Sequence, residues 1–131
     1  MKKNLKFATA ALVVALLAVG SLAWQANAAA SSEDAIKEFM KECHKAPKGV
    51  DPACKKAVDG KASPEEIKKL VAGYKMLAAA KPPKGEMDSW KDKTSKLYAA
   101  SQKLAKGGTE AAAAYKEAVN CKACHSAHKP D

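Results

Sequence analysis

The chain has 131 residues, with 23 lysines against 14 acidic residues, no arginine and few aromatics, so its net charge of +9 is carried by lysine alone. Lysine without arginine is a weak tool for bidentate recognition of bases or phosphates, and so few rings offer little stacking surface, which argues against a nucleic-acid partner. What remains is a solvated lysine-rich surface or electrostatic steering toward an acidic partner protein.

Residues 1–28 read as a secretory signal. Met1 to Lys6 is basic, Phe7 to Trp24 is apolar, and Ala26-Asn27-Ala28 is an A-x-A cleavage pattern. Cleavage after Ala28 removes three lysines and leaves residues 29–131, a chain of 103 residues with net charge +6. That length makes one domain with a modest core, and no integral membrane segment survives the cleavage. The expected location is a bacterial periplasm, an oxidising compartment where four cysteines are tolerated.

Four helices follow, and no stretch alternates apolar and polar residues as a half-buried strand would. The first is predicted to begin at Ser31 or Ser32, with Glu33 and Asp34 in its first turn and Ile36, Phe39, Met40 and Cys43 as the inward stripe. Ala46-Pro47-Lys48-Gly49 ends it, and Asp51-Pro52 starts one short helical turn before Gly60. Ser63-Pro64-Glu65-Glu66 then combines an N-cap serine, a proline at the first helical position and a capping-box glutamate. Ile67, Leu70, Val71, Tyr74, Leu77 and Ala78 form the apolar face of this second helix, which Lys81-Pro82-Pro83 stops. The third runs from about Asp88 to Lys106, with Trp90, Leu97, Ala100, Ser101 and Leu104 at helical spacing and Gly107-Gly108 as its end. The fourth starts at Thr109 and carries Tyr115, Val119, Cys121, Cys124 and His125. Such helices on short connections predict an all-α antiparallel four-helix bundle.

Cys121-Lys122-Ala123-Cys124-His125 is the most specific run in the chain, because C-x-x-C-H is the attachment pattern for c-type haem. Two thiols add across the haem vinyl groups while the adjacent imidazole becomes an axial iron ligand. The cofactor expected is one covalent haem c.

The position of this motif near the C-terminus, after three amphipathic helices, resembles the class II c-type cytochromes, the cytochrome c-prime family of four-helix bundles. The resemblance spans the mature chain: Met40-Lys41 in the first helix, Trp90 opening the third, and the run from Ala118 to His125 followed by Lys129 four places after the ligand. It implies thioethers at Cys121 and Cys124, His125 as proximal ligand, and Ile36, Phe39, Trp90 and Lys129 around the haem. Met40 matches the position over the distal face, where a methionine either binds iron or packs as core. His44, one turn further along the same helix, is the rival ligand and otherwise an exposed histidine at a wet helix end; His128 reads as a surface residue. The family often has an arginine one turn before the distal position, and Ile36 stands there instead. Homodimerisation through the first two helices is also implied.

Cys43 and Cys54 are additional to the family pattern, and their spacing in an oxidising compartment suits a disulfide. The alternatives are two separate thiols, or a degenerate second attachment site at Met40 to His44. Cys121 and Cys124 also admit a dithiol redox pair, or a zinc site with His125 and His128, although neither has the usual context. The function expected is a periplasmic electron carrier, not an enzyme, with His125 and Met40 on iron. The second hypothesis is a five-coordinate haem protein binding nitric oxide or carbon monoxide.

Overall fold

A computed structural model describes residues 21–131, and among these residues the only regular elements are α-helices: α1 (Ser21–Cys43), α2 (Ala53–Val58), α3 (Pro64–Ala79), α4 (Met87–Lys106), α5 (Ala111–Ala118) and α6 (Cys121–His128). The fold is all-α. The basic and most of the apolar part of the proposed signal, residues 1–20, lies outside the described residues. No helix among them is long and apolar enough to cross a membrane.

The first helix does not start at Ser31 or Ser32 as the sequence suggests; α1 extends back to Ser21. Ala28-Ala29-Ala30 precedes the two serines, and alanine's high helix propensity carries the helix through residues that would otherwise cap it. The capping box forecast for α3 is present on both sides. The Glu66 amide donates to Ser63 Oγ at 3.2 Å, and the Ser63 amide donates to Glu66 Oε2 at 2.9 Å. Lys56 Nζ also donates to Glu66 Oε1 at 2.7 Å, which ties α2 to the start of α3.

The predicted fourth helix is two helices. Val119 and Asn120 leave helical geometry, with ψ of 69° and 85°, and Asn120 Oδ1 accepts from the Ala123 amide at 3.0 Å. Asparagine competes well as a cap because its short side chain reaches the free amides of the next turn. The C-x-x-C-H run therefore opens its own helix. The preceding helix also begins later than Thr109, with Glu110 as its N-terminal flank.

Helices α3 and α4 pack against each other most extensively, with α5 against α4 and α2, α1 against α3, and α6 touching α4. Leu70, Tyr74, Leu77, Trp90, Ala100 and Tyr115 form the centre of the core, with Ile36, Phe39, Cys43, Cys54 and Ala57 around them. Gly73 is what allows α1 to approach α3. A β-carbon there would overlap the Phe39 ring, which lies directly over the glycine. Trp90 Nε1–H is shared between the carbonyls of Leu77 and Ala80, each at 2.9 Å, so the first turn of α4 satisfies the open end of α3.

Candidate haem-attachment site

The Asn120 cap sets the direction of α6, and with it Cys121, Cys124 and His125 of the C-x-x-C-H run. Cys121 and His125 are exposed, and Cys124 is half-buried against the core. Burial holds the Cys124 thiol above its ordinary pKa, an effect that the nearby Lys93 ammonium opposes.

Two cavities, of about 250 Å³ and about 470 Å³, meet at this helix, and Met40, Cys124 and His125 line both of them. The smaller one is walled by Leu77, Leu97 and Val119 with His44 among them. The larger one is walled by Ile36, Trp90 and Pro83, with Lys129 at its edge. Met40 is half-buried and packs on the core cluster. The structure thus brings Met40, Ile36, Trp90, Cys124, His125 and Lys129 to one place from α1, α4, α6 and the C-terminal segment. The paired cavities offer apolar walls, the two thiols of Cys121 and Cys124 and the His125 imidazole, the donor set that a flat macrocycle attached through two thioethers would require.

Phe39 is not part of that place. Its ring is turned to α3, packed over Gly73 and edge-on to both His44 and Tyr74 with centroids 5.3 Å away. Phe39 and Met40 are adjacent on α1, about 100° apart around the helix, so one faces the core helix when the other faces the cavity.

His44 departs from the expectation of an exposed residue at a wet helix end. It is half-buried, and its Nε2 lies 3.0 Å from the Tyr74 hydroxyl, which is in turn hydrogen-bonded to the Tyr115 hydroxyl. Burial, followed by the proximity of His125, pushes the His44 pKa down to about 4. Burial likewise raises both tyrosine pKa values, foremost among the causes, so all three groups are neutral near pH 7. Both tyrosines are fully buried.

His128 is also not a surface residue. It is 2% exposed, with Nδ1 2.9 Å from the Lys84 carbonyl, Nε2 3.1 Å from Ser89 Oγ, and its ring edge-on to Trp90. A carbonyl only accepts, so Nδ1 carries the proton. Gly85, with φ of +83°, makes room: a β-carbon there would press on the Ala127 carbonyl and the His128 ring. His128 pins the end of α6 to the α3–α4 loop. With both ring nitrogens engaged it is no zinc ligand, and among the described residues no three His, Cys, Asp or Glu side chains converge as a metal site.

Cys43 and Cys54 are free thiols in this structure, both buried in the same core cluster. Burial first, then Glu42, pushes the Cys43 thiol up to about 11. Burial raises Cys54 as well, with Cys121 as the next contributor.

Sequence reasoning missed the cavity walls Leu97 and Val119 as site residues, and it missed the hydrogen-bonded chain from His44 to Tyr115. The tyrosines sit on stripes that read only as core, and partners 30 and 41 residues apart leave no local signal. Comparison with protein-family models, curated proteins and solved structures gives no match for this chain.

Proposed function

We propose that this protein is a monohaem c-type cytochrome of the bacterial periplasm that transfers electrons, exported by residues 1–28 and folded as a bundle of α1, α3, α4 and the α5–α6 pair. When bound, haem supplies a one-electron iron couple. Cys121 and Cys124 hold it through thioethers, and His125 is the proximal ligand. Met40 is the distal ligand, a Met/His pairing that raises the potential and suits an electron carrier. The observation that carries this proposal is that Met40, on α1, and Cys124-His125, on α6, line the same two adjoining cavities.

The remaining residues have supporting roles. Ile36 and Trp90 give the larger cavity an apolar wall, which keeps water from the cofactor, and Lys129 lies at its edge. Lys37, Lys41, Lys93 and Lys96 line the two cavities together with a few carboxylates. Charge at the cavities is nearly balanced, with Lys37 paired to Glu33 and Lys96 to Asp92, so steering of an acidic redox partner rests on the net positive charge of the chain as a whole. In the oxidising compartment Cys43 and Cys54 pair as a disulfide; both already belong to one buried cluster.

The deciding experiment is the ferrous absorption spectrum of protein matured with the haem-attachment machinery, before and after carbon monoxide, with Met40→Ala alongside. A low-spin spectrum that ignores carbon monoxide, and becomes responsive in the mutant, is the expected outcome. A high-spin spectrum that shifts at once in the wild type would replace electron transfer by gas binding. Absence of covalent haem would remove both.

A further inference from the structure

Counting protons along the buried hydrogen-bond chain assigns a role to His44. Tyr74 touches two partners, His44 Nε2 and the Tyr115 hydroxyl, whereas Tyr115 has only Tyr74 among the described residues. If Nε2 carried the proton, Tyr74 would accept from it and donate to Tyr115, and the Tyr115 hydroxyl hydrogen would be left without an acceptor in a fully buried position. The opposite direction uses every hydrogen: Tyr115 donates to Tyr74, and Tyr74 donates to Nε2. That arrangement puts the imidazole proton on Nδ1.

Nδ1 has no protein partner among the described residues, and no buried side-chain nitrogen or oxygen in them lacks one. Nδ1 must therefore open onto accessible space. The cavity that His44 lines is the smaller one, shared with Met40 and His125. Leu77, Leu97, Ala118 and Val119 give that cavity apolar walls, and of its polar lining Lys93, Thr94 and Lys96 already donate to Ser89, the Trp90 carbonyl and Asp92, which leaves Nδ1–H a donor without a protein acceptor among the described residues.

We infer that His44 is a distal hydrogen-bond donor rather than an iron ligand: the Tyr115–Tyr74 pair fixes its tautomer so that Nδ1–H serves a small anion or polar diatomic molecule admitted beside the haem when Met40 gives way. The ligand class follows from the chemistry of the site. The cavity is small, its walls are partly apolar, and a donor held in one orientation rewards negative charge on the outer atom of the guest, as in cyanide or nitric oxide. This inference rests on the covalent haem proposed above and extends it to a second, conditional function.

The test uses full-length protein matured with haem and carrying Met40→Ala, so that the distal side is open. Two probes are read: the infrared C–O stretch of the ferrous carbon monoxide complex, and the dissociation constant of cyanide from the ferric form. Adding His44→Leu should raise the C–O stretch and weaken cyanide about tenfold, the effect of one hydrogen bond. Tyr74→Phe/Tyr115→Phe keeps the core filled and removes both hydroxyls together, so no buried donor is orphaned. It should move both probes in the same direction by less, and it carries the test alone if His44→Leu loses its helical circular dichroism.

Probes that do not move in either background would overturn the inference. Carbon monoxide binding that appears only when His44 is also removed would do so too, by making His44 the iron ligand. Wild-type protein without the added mass of haem would sink the proposed function itself, and the inference with it, before any distal variant is made.

Discussion

His44 carries the clearest pH prediction. Its folded pKa is pushed down to about 4 from an ordinary 6.5, so between those values the unfolded chain holds the extra proton and the folded chain does not. Stability from this group is therefore complete above pH 6.5 and falls as pH drops toward 4, by on the order of 3 kcal/mol in all. Urea unfolding of wild type and His44→Gln, compared at about pH 7 and about pH 5, isolates the effect from the carboxylates. The wild type should lose more stability between the two than the variant does, and an equal loss would mean that His44 is solvated.

At the scale of elements, the break between α5 and α6 is the feature on which the site depends. A continuous helix through residue 120 would carry Cys121, Cys124 and His125 along the α5 axis; with the Asn120 cap α6 packs on α4, and Cys124 and His125 line the cavities that Met40 of α1 also lines. Asn120→Ala should cost α6 about 1 kcal/mol and speed amide exchange at Ala123 about fivefold, with Asn120→Asp retaining protection. Unchanged exchange in the alanine variant would show that His128, buried at the far end of α6, holds the helix without its cap. The Trp90 and His128 contacts work to the same end, since they fasten α4 and α6 to the segment that closes α3.

For the whole molecule, the question is how the 103 residues left by the proposed cleavage keep a modest core together around a large opening. A bridge from Cys43 to Cys54 would tie the last turn of α1 to α2 and add about 2 to 3 kcal/mol by restricting the unfolded chain. The raised pKa of both buried thiols leaves little thiolate once the protein has folded, so the bridge must form during folding after export. Exported protein should be lighter by two hydrogens than the sum of its sequence and haem, and should resist thiol alkylation until reduced and unfolded. Two alkylatable thiols in unfolded, unreduced protein would show that Cys43 and Cys54 remain apart.

What the sequence determined by itself was whatever rests on local chemistry. The helical class, the capping box at Ser63, the stop before Pro82, the short turn after Pro52 and the C-x-x-C-H run all follow from residues a few places apart, where propensity and hydrogen-bonding reach decide the outcome. Tertiary structure decided the rest. That Phe39 turns to Gly73 while Met40 turns to the cavity, that His44 meets Tyr74 and Tyr115, and that His128 is buried are consequences of contacts between distant segments. A helical stripe tells which side is inward, but it does not tell which neighbour each inward residue meets. Polar groups such as His44 and His128 read as surface until a partner from another helix satisfies them, because only a satisfied polar group can be buried cheaply.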